Sequence, residues 1–192
     1  GGCTRAWGLE PDLLTIGKPI AGGVPAAAYG FSEQVAERVV DHIELEDADV
    51  GGVGGTLAAN ALSLAAMRAT LEHVLTDEAF ERMIPLAGRF TAGVEDAIDR
   101  YGVQWHVTQL GCRAEYLFGP DRPRTGSEAA GAGDFELERF MHLYALNRGV
   151  LLTPFHNMAL MSPATTQADV DRHTEVFDEA LSEITNEGLG GT

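Results

Sequence analysis

The sequence has 192 residues, of which 45% are apolar and 22% are charged, so it can bury a substantial core. Acidic residues outnumber basic ones 29 to 13, for a formal charge of −16, which argues against nucleic acid or an anionic membrane as the main partner. No apolar run reaches the roughly 18 residues of a membrane helix. The two cysteines, Cys3 and Cys112, predict a reducing, cytoplasmic setting rather than a disulfide framework.

The first predicted elements are two short strands joined by a glycine- and proline-rich loop. Leu13–Ile16 is an apolar run bounded by turn residues and predicts a buried strand, and residues 26–30 predict a second. Ser32 predicts the N-cap of a helix over 33–40. The loop contains Lys18, the only lysine among 13 basic residues. A desolvated lysine there would present a neutral amine that attacks carbonyls, whereas a surface lysine at a strand end would have no chemical role.

A second glycine-rich loop covers residues 51–56 and precedes a predicted helix. The helix is predicted from an apolar stripe that includes Leu57, Leu64 and Leu71. Bare backbone N–H groups and the Thr56 hydroxyl suit a phosphate, although the glycine spacing matches neither a dinucleotide fingerprint nor a Walker loop. A flexible hinge is the alternative interpretation.

The remaining elements follow in close succession. A helix over 77–100 is kinked by Pro85 and ends at Gly102. Asp134 predicts the cap of a helix to 148, and Thr166 with Asp169 predicts a capping box for the last helix. The other predicted segments are strands over 103–108, 113–118, 150–153 and 158–161, and a long loop over 119–133. We therefore place a domain boundary near residue 102.

Few other side chains suggest chemistry. The six histidines are not spaced like metal ligands, so no metal site is predicted, and the absence of a G-x-S-x-G elbow argues against a hydrolase. Arg113 and Arg148 are the best placed arginines for a substrate carboxylate, which a guanidinium binds in bidentate fashion. Surface arginines without a ligand are the alternative for both.

Residues 11–25 with 28–30 closely resemble the Schiff-base lysine segment of class III aminotransferases, fold type I enzymes that use pyridoxal 5′-phosphate (PLP). Residues 55–60 resemble the later segment whose threonine reaches the cofactor phosphate of the neighbouring subunit, and residues 147–154 resemble the small-domain strand that faces the substrate. The resemblance implies an α/β fold: residues 1–102 as the C-terminal portion of the PLP-binding large domain, then a small α+β domain over 103–192.

The resemblance also implies an activity and a site. Lys18 would hold PLP and move the proton, Gly55 and Thr56 would bind the phosphate across a homodimer interface, and Arg148 and Arg113 would bind substrate carboxylates. The reaction would carry an amino group from an amino acid, possibly a β-amino acid, to a keto acid. Within the family, the aspartate that pairs with the pyridine nitrogen, the phosphate loop and the ring-stacking aromatic precede this region, so we expect the chain to be the C-terminal part of a longer enzyme.

Three hypotheses about the function remain open. The nearest subfamilies by resemblance are glutamate-1-semialdehyde aminomutases and β-amino-acid (β-phenylalanine-type) aminotransferases. Aminomutases carry a glutamate shortly after the small-domain proline, whereas residues 155–159 here contain no acid, and the arginine of ornithine- and GABA-type enzymes has no counterpart in 160–163. This favours the β-amino-acid type, with the aminomutase as first alternative. A non-catalytic fragment that holds no cofactor is the second alternative.

Overall fold

The computed structural model describes residues 2–43, 54–55, 57–153 and 156–186, with only the backbone described for 42–43. The chain divides into two compact units, Gly1–Thr76 and Asp77–Thr192. No helix within the described ranges has the length and hydropathy needed to cross a membrane.

The N-terminal unit is built around an antiparallel strand pair. Helix α1 (Gly2–Ala6) precedes strand β1 (Leu13–Ile16), which pairs with β2 (Ala28–Phe31), with Leu13 opposite Phe31 and Ile16 opposite Ala28. A short 3₁₀ helix (Lys18–Ala21) lies in the connection between them. Helices α2 (Glu33–Ile43) and α3 (Ala61–His73) follow, and the Ser32 hydroxyl accepts from the backbone N–H of Val35, as its predicted capping role requires.

The prediction that β1 is buried is wrong for this chain. Leu13 is 61% exposed and Ile16 is 47% exposed, and β2 is likewise uncovered at Tyr29. The described sheet of this unit has two strands, and both expose large apolar side chains. The apolar sequence of β1 is typical of a buried strand, whereas its side chains are exposed among the residues that the structure describes.

The packed face of α3 also differs from the predicted stripe. Leu57 lies before the helix and is 80% exposed, and Leu64 and Leu71 are about half exposed. The least exposed positions instead repeat at helical spacing on another face: Ser63, Ala66, Met67 and Thr70. This face packs on the 3₁₀ helix of the loop between β1 and β2.

The C-terminal unit is a three-stranded antiparallel sheet covered by helices. Helix α4 (Asp77–Tyr101) is followed by β3 (His106–Leu110), β4 (Arg113–Leu117), α5 (Gly126–Gly131), α6 (Phe135–Leu146), β5 (Met158–Leu160) and α7 (Gln167–Asn186). The strand order is β3-β4-β5, with β4 in the centre. The predicted caps are confirmed, since Leu137 N–H donates to Asp134 and the backbone N–H groups of Thr166 and Asp169 donate to each other's side chains.

The core of this unit lies between the sheet, α4 and α7. Phe90 and Val94 of α4 are buried together with Phe177 and Leu181 of α7. The two helices approach closely at Gly93, where a Cβ atom would lie 2.6 Å from Thr174 Oγ1. Helix α4 therefore packs within the second compact unit, Asp77–Thr192.

Two predicted segments of the C-terminal unit are corrected. Residues 150–153 form no ladder strand, because their described link to β5 is one bond from Thr153 N–H to the Met158 carbonyl at 3.4 Å. The predicted loop over 119–133 contains α5, which forms because Thr125 accepts from the backbone N–H of Glu128 at 3.2 Å.

Candidate active site

Lys18 lies two residues beyond the end of β1, at the start of the connection that leads to β2. Its backbone has φ 51°, in the left-handed region that non-glycine residues rarely adopt. The side chain is exposed, and no described carboxylate forms an ion pair with its amine. A left-handed, unpaired lysine next to a strand end is a conformation that occurs at functional positions, where the surrounding structure maintains the strain.

The segment after Lys18 is anchored, although the lysine itself is not. Ile20 is 3% exposed and Ala21 is 2% exposed. Among the described residues of this unit, Thr70 of α3 is the only other buried residue. Gly22 then turns the chain with φ 60°, and Val24 N–H donates to the Ala21 carbonyl at 3.1 Å. The exposed Lys18 is therefore followed closely by two buried residues, Ile20 and Ala21.

The predicted phosphate loop is described only in part. Thr56 lies outside the described residues, whereas Gly55 is exposed and its carbonyl accepts from Ala58 N–H at 2.9 Å. The helix begins at Ala61 rather than near Leu57, and Asn60 caps it by accepting from Ser63 N–H at 2.9 Å. Residues 57–59 form a turn between the glycines and the helix. The predicted helix stripe, which includes Leu57, therefore starts too early.

Arg148, predicted to bind a substrate carboxylate, is engaged by protein groups. Its guanidinium lies 3.4 Å from the ring centroid of Tyr144, and Nε donates to Glu179 at 3.1 Å. Nη2 lies 3.7 Å from Glu183, which also accepts from the Tyr144 hydroxyl at 2.7 Å. These contacts join α6 to α7 and favour the structural alternative for Arg148.

Arg113 has a different set of neighbours. It opens β4, where its guanidinium pairs with Glu115 and Nε lies 2.6 Å from Met158 Sδ of β5. Both Arg113 and Arg148 therefore have an acidic partner inside the C-terminal unit, and a substrate carboxylate would have to compete with it.

The C-terminal unit also contains a cleft of about 440 Å³ that the sequence analysis did not identify. Its walls come from residues 149–153, from β5 and from the start of α7. His173 forms part of its floor, with its ring 4.3 Å from that of Phe90 and Nδ1 buried without a described partner. Burial lowers the pKa of His173 to about 3, so the ring is neutral. Its spacing from Val170 and Phe177 placed it on the buried face of α7, a signal that was available in the sequence.

The described residues supply one group that suits covalent attachment of a carbonyl cofactor. That group is the Lys18 amine, which is exposed, unpaired among described residues and held by an anchored loop. Within the described ranges, no group of three or more histidine, cysteine, aspartate or glutamate residues is arranged to hold a metal ion. The chemistry available at this end of the strand pair is therefore that of a primary amine.

Comparison with known proteins gives a consistent family. A sequence profile described as Aminotransferase class-III matches residues 2–181. The glutamate-1-semialdehyde 2,1-aminomutase of Thermus thermophilus is 34% identical over 186 residues, which cover 94% of this chain and 41% of that enzyme. The corresponding enzyme of Thermomicrobium roseum is 33% identical, over 96% of this chain and 41% of its own length.

Solved structures support the same family. The structure of a glutamate-1-semialdehyde aminomutase from Pseudomonas aeruginosa superposes with a TM-score of 0.89 at 49% identity, covering 95% of this chain and 41% of that one. A variant of an aminomutase from the same organism was solved in complex with PMP and gives the same TM-score at 48% identity, with the same coverage of both chains. A β-phenylalanine aminotransferase from Variovorax paradoxus gives 0.80 at 26% identity, covering 98% and 41%. The chain thus spans about two fifths of the length of these relatives.

Proposed function

The chain belongs to the class III aminotransferases, and from that premise we propose that it is the C-terminal part of a PLP-dependent aminotransferase in which Lys18 carries the cofactor. The observation that carries the proposal is the state of Lys18: the only lysine of the chain, left-handed at φ 51° and unpaired among described residues, in the segment with the family's lysine motif. PLP is the cofactor of this family, and the fold is that of its fold type I members.

Lys18 has two tasks in this proposal. When bound, PLP supplies an electrophilic carbon for amines and a conjugated ring that withdraws electrons from the substrate carbon bearing the amino group. Lys18 Nζ would hold the cofactor covalently at its aldehyde carbon, with loss of water, until a substrate amine takes its place. The free Nζ would then accept the proton from the amino-bearing carbon of the substrate as a general base and donate it to C4′ as a general acid.

Other residues complete the proposed site. Gly55 and Thr56 contribute backbone and hydroxyl groups to the cofactor phosphate of a neighbouring subunit, so the active form is a homodimer. Arg113 and Arg148 stay predictions as substrate ligands, with the glutamate contacts described above favouring a structural role. We assign residues 1–102 to the large domain and 103–192 to the small domain of a cytoplasmic enzyme.

The aminomutase is a second candidate function. It is favoured by the relatives at 34% and 33% identity, both of which are glutamate-1-semialdehyde 2,1-aminomutases, whereas the absence of an acid in residues 155–159 favours the aminotransferase. The two activities differ in where the amino group goes: an aminotransferase passes it to a second molecule, and an aminomutase returns it to the same carbon skeleton.

The test separates these functions in the complete protein loaded with PLP. ¹⁵N-labelled β-amino acid is supplied as donor together with an unlabelled keto acid, and the new amino acid is analysed by mass spectrometry. Transfer of ¹⁵N to the keto acid supports the aminotransferase. Turnover of glutamate-1-semialdehyde alone, without exchange into an added keto acid, identifies the aminomutase. A protein that develops no visible absorbance with PLP is the non-catalytic alternative.

A further inference from the structure

The packed face of α3 approaches the connection between β1 and β2, residues 17–27 and here called the lysine loop, at two points. Ser63 Oγ donates to the Pro25 carbonyl at 2.9 Å. Seven residues further along, Thr70 Oγ1 lies 3.2 Å from the position that a Cβ atom on Gly22 would occupy. Positions seven apart lie on the same helix face, so both side chains address the same stretch of loop.

The helix side chains are held in place at both points. The Thr70 hydroxyl donates to the Ala66 carbonyl at 2.8 Å, which fixes its rotamer, and Thr70 is 7% exposed. Gly22 has φ 60°, so the close approach of loop and helix depends on a residue without a side chain. The Asn60 cap fixes the first turn of the helix, where Ser63 is located.

Lys18 is the strained position of this loop, and strain persists only where surrounding structure enforces it. Ile20 and Ala21, the buried residues of the 3₁₀ helix, lie between Lys18 and the contact at Gly22. A displacement of the loop from α3 would therefore release the left-handed conformation at Lys18 and change the position of its amine.

We infer that α3 is a clamp for the lysine loop, in which Ser63 and Thr70 act as positioning residues that hold Gly22 and Pro25 and thereby place the Lys18 amine. The inference rests on the proposed role of Lys18 as the cofactor lysine. It assigns a function to the side of α3 that is least exposed among the described residues of this unit.

The main test is a double-mutant cycle in the complete PLP-loaded protein. Gly22→Ala adds a Cβ atom against Thr70 Oγ1, and Thr70→Ala removes that oxygen. Because a misplacement of about 1 Å can cost ~100-fold in rate, we expect Gly22→Ala to lower kcat by about 10- to 100-fold. It should also move the pH midpoint of the visible absorbance of lysine-linked PLP. In the double variant, Thr70→Ala should restore kcat at least about fivefold, a coupling expected of residues in contact.

Two glycine controls separate the contact from other effects. Gly23→Ala is placed at φ 96° with nothing within 4 Å of its Cβ, so it reports backbone strain alone. Gly126→Ala, in α5 of the C-terminal unit, has neither a positive φ nor a described neighbour within 4 Å and should resemble wild type. Independent effects of Gly22→Ala and Thr70→Ala, or an unchanged absorbance midpoint in Gly22→Ala, would overturn the clamp.

A second variant covers the case in which Gly22→Ala does not fold. Ser63→Ala deletes the bond to Pro25, and Ser127→Ala, an exposed serine of α5, is its matched control. Ser63→Ala should lower kcat about two- to tenfold, shift the absorbance midpoint and speed amide exchange over 18–25, with Ser127→Ala unchanged. If Ser63→Ala equals its control in all three, the clamp is refuted.

A cofactor-free readout distinguishes failure of the clamp from failure of the proposed function. The rate of acetylation of the Lys18 amine is measured by peptide mass spectrometry in the apoprotein, where Gly22→Ala and Ser63→Ala should change it at least twofold relative to their controls. If wild type never links PLP to Lys18, the proposed function fails, while this rate and the amide exchange still decide whether α3 positions the amine.

Discussion

Lys18 combines an unfavourable backbone conformation with an exposed side chain. A left-handed conformation costs a non-glycine residue about 1–2 kcal/mol, and the exposed side chain gains no burial in return. A glycine would be more stable at φ 51°. Folding therefore does not favour a lysine at this position, in agreement with the role proposed for its amine.

The first prediction concerns that amine. Borohydride treatment of the PLP-loaded complete protein should reduce the C=N link between Lys18 Nζ and the cofactor to a stable C–N bond. Within the present 192 residues the label can fall on no other lysine side chain, since Lys18 is the only one. Peptide mass spectrometry locates the label. A label confined to the N-terminal amine, or no label, would exclude Lys18 as the cofactor lysine.

The second prediction concerns Thr56. A hydrogen bond from a hydroxyl to a charged phosphate contributes about 1.5–3 kcal/mol to binding, so Thr56→Ala should weaken PLP binding by roughly ten- to a hundredfold. Thr56→Ser, which retains the hydroxyl, should stay close to wild type. Equilibrium dialysis of PLP against the dimer measures the effect. Equal affinity in wild type and Thr56→Ala would indicate that the residue has no phosphate contact.

The third prediction concerns His173 and pH. Burial between Phe90 and Phe177 lowers its pKa from 6.5 to about 3, so between these values the unfolded chain binds a proton that the folded chain does not. Stability therefore falls as the pH falls below 6.5, by about 2 kcal/mol between pH 7 and pH 5. His173→Phe should remove this part of the acid sensitivity.

The exposed His156 provides the matched control for this experiment. Urea unfolding of the 192-residue chain, followed by near-ultraviolet circular dichroism of the C-terminal aromatic cluster, measures stability at both pH values. The same acid-induced loss in wild type, His173→Phe and His156→Phe would show that the buried ring is not its source.

At the scale of elements, α6 and α7 are joined by a polar link as well as by the core. Arg148 stacks on Tyr144 of α6 and pairs with Glu179 and Glu183 of α7, with a third of its side chain exposed. Partial exposure weakens such pairs, so the link is worth about 1 kcal/mol rather than several.

The fourth prediction follows from this link. Arg148→Met should lower the free energy of unfolding by about 1 kcal/mol without raising KM for a carboxylate substrate. Arg172→Met, which removes an exposed pair with Glu175 within α7, should cost less than about 0.5 kcal/mol. Urea unfolding and steady-state kinetics are the two measurements. A tenfold rise in KM with unchanged stability would instead assign Arg148 to the substrate.

The elements that the sequence predicted well are those whose ends have local signals. Ser32, Asp134 and the Thr166–Asp169 pair mark helix starts because capping involves residues only three apart. The failures depend on distant contacts: which face of α3 is covered, and whether residues 150–153 find a ladder partner. For the site, the lysine motif located Lys18, but its left-handed backbone and the α3 contacts at Gly22 and Pro25 had no sequence signal.

At the scale of the whole molecule, burial is distributed unequally. The described residues of the N-terminal unit include three that are buried, Ile20, Ala21 and Thr70, whereas the C-terminal unit buries a continuous core on α4, α6, α7 and the sheet. The N-terminal unit also exposes large apolar side chains on every element but the 3₁₀ helix and α1, among them Leu13, Phe31, Val40 and Leu62. Exposed apolar surface on that scale marks an interface awaiting a partner or a liability for aggregation.

The last prediction is that the two units differ in stability when the 192-residue chain is prepared alone. Local opening costs little free energy where few apolar side chains are buried, so amides of residues 2 to about 75 should exchange rapidly, or the chain should aggregate through this part. Amides from residue 103 onward, in β3, β4, α6 and α7, should exchange more slowly because their elements share the core. Hydrogen exchange with peptide mass spectrometry, on material shown to be monomeric by size-exclusion chromatography, measures both regions at once. The complete PLP-loaded protein is the reference, in which protection of the first region should rise by more than that of the second. Strong and uniform protection of the isolated monomer would contradict the prediction and would identify the chain as a self-sufficient folded protein.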